Sequence, residues 1–225
     1  MDKLFSSSIG KKIVMAASGL ALIGFVVMHL IGNLLIFAGP EALNSYAEKL
    51  RDLGELLWIA RMGLIVMVLL HIWSAICVTR ENRKARPVAY FNKVNARTTI
   101  GARTMAFSGV VLLAYIIFHL LHFTFRVTHP EISNLLDAQG RHDVFSMAVL
   151  SFHQIPIVAV YVIAMVFLCL HLSHGISSAF QTLGIANENT LPKFILISKT
   201  ISLFIFLGYS SIPLACWLGI IKPIH

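Results

Sequence analysis

The chain has 225 residues, of which 57% are hydrophobic and only 12% charged, with a formal net charge of +8. That composition excludes an ordinary soluble domain and fits a membrane protein. Nor does the basic balance point to nucleic acid, because the cations gather at the ends of apolar runs.

Runs of about 20 apolar residues are long enough to cross a bilayer as helices. Five occur: Ile13–Phe37, Leu57–Thr79, Arg103–Phe125, Ile155–Phe180 and Phe194–Ile221. Little chain is left between them, so residues 1–225 are expected to form one all-α transmembrane domain. The first run is too long for a signal-peptide core and is expected to be retained. It stops at Ala38-Gly39-Pro40. The segment after it has Leu43, Ala47, Leu50 and Leu57 at helical spacing, which predicts a short amphipathic helix on the outer face. The second run ends at Pro87 and a charge cluster. The connection that follows holds Arg80, Arg83, Lys84, Arg86, Lys93, Arg97 and Arg103. It is a solvated inner segment, or a contact for anionic lipid or a cytoplasmic partner. Lys3, Lys11 and Lys12 precede the first run. Positive charge therefore puts the N-terminus in the cytoplasm and, after five crossings, the C-terminus outside.

Beyond the third run, Val127 to about Leu150 reads as a polar loop with Pro130 and Gly140. Pro156 opens the fourth run, where a first-turn proline is tolerated. The fifth run carries no histidine and is assigned to packing, with a possible kink at Pro213. Cys77, Cys169 and Cys216 all fall within runs, without metal-binding spacing, and read as packing residues.

Four histidines sit inside the apolar runs: His29, His71, His119 and His171. An ionisable ring there is costly and needs a reason. Two of the runs nearly repeat, SGLALIGFVVMHL from Ser18 and SGVVLLAYIIFHL from Ser108. At about 1.5 Å per residue, His29 and His119 lie roughly 24 and 21 Å from the inner boundary. His71 and His171 lie only about 12 and 13–14 Å from it. Depth thus pairs His29 with His119 in the outer half and His71 with His171 in the inner half. Two neutral imidazoles per layer suit the axial positions of a haem between helices of a four-helix bundle, with the fifth helix outside it. Ala75 and Gly175, four residues past His71 and His171, would let a flat macrocycle approach the backbone. Ser18 and Ser108 either face the inner layer or bond their own backbones. HLLH and HLSH offer second rings, His122 and His174. The repeat favours His119 and the small Gly175 favours His171, leaving His122 and His174 as candidates for propionate or backbone hydrogen bonds. His129, His142, His153 and His225 read as surface groups in loops or at ends.

At these residues the chain resembles the dihaem cytochrome b subunit of succinate:quinone oxidoreductases, the succinate dehydrogenase and fumarate reductase family. The likeness covers five spans, the Gly19–His29 and Gly109–His119 spacings, and HLSHGISSAFQTLG from His171. It implies two b haems on the four histidines, and a location in the bacterial cytoplasmic (inner) membrane. It implies a flavoprotein subunit and an iron–sulfur subunit docked on the cytoplasmic side. Quinone, often menaquinone, would react near the outer haem. Glu48, Glu55, Tyr46 and Arg61 at the outer end are candidates for that quinone site. Some members carry a glutamate two residues before the last ligand, implicated in proton transfer; here that position is Cys169. The chain alone is not expected to convert succinate. Rival readings are the cytochrome b subunit of a membrane hydrogenase or formate dehydrogenase, and a transporter with a histidine proton relay.

Overall fold

A computed structural model describes residues 5–85 and 100–224. The described chain is an all-α membrane protein with five helices long and apolar enough to cross a bilayer. We number the α-helices α1 Ser8–Leu34, α2 Pro40–Asp52, α3 Glu55–Lys84, α4 Ile100–His119, α5 Val144–Ser151, α6 Ile155–Thr182 and α7 Leu191–Trp217. A 3-10 turn, Leu35–Ala38, extends α1, and a π turn, Leu120–Thr124, extends α4. The spans are α1, α3, α4, α6 and α7, each with its apolar surface largely open to the bilayer.

The amphipathic helix expected after the first span is α2. Gly39, at φ 100°, makes the turn into it, and Pro40 opens it where no backbone N–H is needed. The basic connection after the second span differs from expectation. Arg80, Arg83 and Lys84 lie on α3 and Arg103 on α4, while Arg86, Lys93 and Arg97 fall outside the described residues. The last span ends at Trp217, four residues earlier than the apolar run. Pro213 is accommodated inside it. The polar loop after α4 contains a further helix, α5, whose N-cap Asp143 accepts from the Ser146 backbone N–H at 2.9 Å.

Backbone contacts divide the chain into two units. The first takes in Met1–Val26, Ile59–Ala106 and Leu170–Ser202. Here α1 and α3 are joined near their ends, where Glu81 accepts from Lys11 Nζ at 2.5 Å and from Ser8 Oγ at 2.7 Å. Gly101 lets α4 approach α6: a Cβ there would lie 2.9 Å from the Leu170 carbonyl oxygen. The second unit takes in Val27–Trp58, Phe107–Cys169 and Leu203–His225. It holds a close-packed apolar core that includes Ile36, Leu43, Phe145, Val149, Tyr161 and Cys216. Asn44, 1% exposed, ties α2 to α5 by donating to Asp143 Oδ1 at 3.0 Å and accepting from the Phe145 N–H at 3.0 Å.

Candidate functional site: two histidine pairs

In the first unit, His71 on α3 faces His171 on α6, with ring centres 6.3 Å apart and planes at 64°. His71 is held from α1. Its Nδ1 lies 3.2 Å from the Met15 carbonyl oxygen and 3.3 Å from Ser18 Oγ. Ser18 is 2% exposed and donates back to the Val14 carbonyl at 2.7 Å. Ser18 therefore bonds its own backbone and faces His71 at once. The next residue, Gly19, keeps this approach open, because a Cβ there would lie 3.2 Å from His71 Cε1. At Gly175 a Cβ would meet nothing within 4 Å, so the helix face one turn beyond His171 is open. His174, half-buried, packs its Cβ against Gly101, and its carbonyl accepts from Ser177 Oγ at 3.1 Å.

In the second unit, His29 on α1 faces His119 on α4, with ring centres 6.0 Å apart and planes at 81°. Tyr209 on α7 stands 6.3 Å from His29, centre to centre. The fifth span thus contributes an aromatic wall to this pair, a role that its lack of histidine concealed. Tyr115, Phe123 and Tyr161 crowd around His119. The π turn begins at the next residue, and its wide bond runs from the Phe125 N–H to the Leu120 carbonyl at 2.8 Å. Across the start of that turn, His119 and His122 both reach one hydroxyl. Tyr161 Oη lies 3.2 Å from His119 Nδ1 and 3.0 Å from His122 Nδ1. His122 Nε2 lies 3.2 Å from Ser151 Oγ. With both nitrogens engaged and 2% exposure, His122 is a tied core group. Ser108, the serine of the second repeat, is fully buried.

The remaining expected residues lie on α2, on α3 and in the loops. The Tyr46 ring lies against Gly32 of α1, where a Cβ would come within 2.7 Å of it. Glu48 sits 3.8 Å from Arg141. Glu55 is exposed in the first turn of α3, and Arg61 belongs to the first unit. His142 is not a surface group: it is 9% exposed, bridged to Leu136, and neither ring nitrogen has a partner among the described residues. Burial, with Arg126 and Arg51 adding to it, holds its pKa below the ordinary value. His129 pairs with Glu131 at 3.1 Å, and His153 is exposed.

Among the described residues, no three His, Cys, Asp or Glu side chains gather as a metal site. Four of the histidines come in two facing pairs. Fold and site together define an all-α, multi-pass membrane protein with paired histidines between its spans. No family model, curated protein or solved structure matches the chain.

Proposed function

We propose that the chain is the membrane anchor and electron-transfer subunit of a succinate:quinone oxidoreductase. In this reading it holds two b haems, one on His29 and His119 and one on His71 and His171. The observation that carries it is the ring spacing. A metal–imidazole bond is about 2 Å and the ring centre lies about 1.2 Å further, so two rings holding one metal from opposite sides would stand roughly 6.4 Å apart. The two pairs stand at 6.0 and 6.3 Å. A relay of histidines passing protons would instead need direct or water-bridged hydrogen bonds along one path, and four rings in two facing pairs do not favour it.

The residues fit the group in a second way. A ligating histidine characteristically donates its other ring N–H to a fixed acceptor, which sets tautomer and orientation. Met15 supplies a carbonyl for His71, and Tyr161 a hydroxyl for His119. The open helix face at Gly175 suits a flat ring system.

Haem, when bound, supplies one-electron transfer. The protein side chains hold the rings, exclude water from them and close the apolar wall. Positive-inside charge assigns His71 and His171 to the cytoplasmic half. Electrons would enter there from an iron–sulfur subunit, itself fed by a flavoprotein subunit. They would leave for quinone, menaquinone in the family reading, beside His29 and His119. Glu55 and Glu48 are the groups at that end able to exchange protons with it. Tyr46, seated against Gly32, fits that role less well.

Purification of the tagged chain from native membranes tests this assignment. The reading expects co-purified flavoprotein and iron–sulfur subunits with succinate:quinone activity. Co-purification of hydrogenase or formate dehydrogenase subunits would move the chain to that class, and a haem-free chain would favour transport.

A further inference from the structure

We infer that Tyr161, His122 and Ser151 form a one-way hydrogen-bond chain that fixes the ring tautomer of His119. Tyr161 is then a positioning residue for the haem assigned to His29 and His119. The inference rests on the two-haem reading of that pair.

The direction follows from the far end of the chain. Ser151 Oγ donates its single proton to the Met147 carbonyl at 2.7 Å. Toward His122 the same oxygen can only accept, so His122 Nε2, at 3.2 Å, carries the proton. A buried imidazole stays neutral and has one N–H, which leaves His122 Nδ1 as an acceptor. Tyr161 Oη, 3.0 Å away, therefore donates to it. The remaining lone pairs of Oη then face His119 Nδ1 at 3.2 Å, and His119 Nδ1–H donates into them. The lone pair of His119 is left on Nε2, the form a metal ligand needs. The other unit reaches the same end in one step, because the Met15 carbonyl near His71 Nδ1 can only accept. Both chains thus terminate on a backbone carbonyl, Met147 in one unit and Met15 in the other.

Burial of these groups would be explained equally well by a satisfied polar core: Tyr161 is 6%, His122 2% and Ser151 1% exposed. The tautomer claim goes further. An acceptor on Nδ1–H makes Nε2 more basic, and a more basic axial ligand favours the ferric over the ferrous state. A packing role leaves that balance alone.

Potentiometric titration of the purified, haem-loaded complex separates the two. Tyr161→Phe keeps the ring and removes the hydroxyl. Two haems should remain, with one midpoint potential raised and the other unmoved. Each tenfold change in the ferric-to-ferrous balance would read as a shift of about 59 mV. If Tyr161→Phe loses one haem, the potentials of Ser151→Ala and His122→Gln decide instead. Ser151→Ala should shift the same haem in the same direction by less, because the Tyr161–His122 bond survives. Two haems with both potentials unchanged in Tyr161→Phe would overturn the inference and leave the haem reading standing. If Tyr161→Phe does not accumulate, unchanged potentials in Ser151→Ala and His122→Gln would overturn it equally. A haem-free wild-type complex would overturn both.

Discussion

His71 and His171, one hundred residues apart in the sequence, hold their ring centres 6.3 Å apart across two spanning helices. Such closeness of two polar rings in an apolar setting is costly unless something between them uses both. On the proposed two-haem reading, His71→Ala or His171→Ala should remove one haem and spare the other, and His29→Ala or His119→Ala should remove the second. Haem per chain would fall from two to one in each. His122→Ala should keep both haems, because Tyr161 and Ser151 already engage its nitrogens. Loss of haem from His122→Ala with full retention in His119→Ala would reverse the assignment on α4.

Gly19 and Gly24 offer a matched test of the His71 site. A Cβ at Gly19 would lie 3.2 Å from His71 Cε1, whereas one at Gly24 meets nothing within 4 Å. Gly19→Val should displace the ring and cost the haem assigned to His71. Gly24→Val should leave haem content unchanged. Equal behaviour of the two variants in a haem assay would detach Gly19 from the site.

Asn44 is the buried tie between α2 and α5. Asn44→Ala takes partners from the Asp143 carboxylate and the Phe145 N–H at once. The cost should be about 1–3 kcal/mol or more, since a charged group loses its bond. Chemical unfolding in detergent measures it, and a change within error would show that other groups replace the amide.

The ion pairs of Arg141 should make stability acid-sensitive. Hydrogen bonds from Arg141 hold the Glu41 carboxyl below its ordinary value. The folded chain therefore binds that proton more weakly than the unfolded one. The contribution is fully present above the unfolded value, about 4.3, and is lost as pH falls through the lower folded value. The thermal midpoint should fall more steeply below about pH 4.3 in the wild type than in Arg141→Gln. Parallel acid limbs would remove this pair from the stability of the chain.

Hydropathy made the five spans legible, because the bilayer sets one length and every span must meet it. The same length scale joined His29 with His119 and His71 with His171, since depth along a helix is countable in sequence. Groups defined by lateral packing were not countable. Tyr161 precedes His171 on a span read for its histidine, and nothing local links it to His119 and His122. The π turn after His119 leaves no clear trace in the letters LLHFT. Helix α5 is only eight residues long, too short for its periodicity to stand out, although Asp143 before an apolar run was a capping signal. His142 read as a surface group in a loop, whereas the structure bridges it to Leu136 and buries it.

The quinone assignment turns on carboxylates that the structure leaves near the surface. Glu55→Gln, or failing that Glu48→Gln, should slow quinone turnover by several-fold, within the roughly 100-fold or more expected of a proton donor. Both haems and succinate oxidation with a soluble dye should stay intact. Normal quinone kinetics in both variants would move the site away from α2 and the start of α3.

Pyridine haemochrome analysis of the purified complex tests the central claim most directly, because each histidine pair stands for one b haem. With chain concentration from amino-acid analysis, about two haems per chain are expected from two ligand pairs. One haem per chain, or none, would contradict the account.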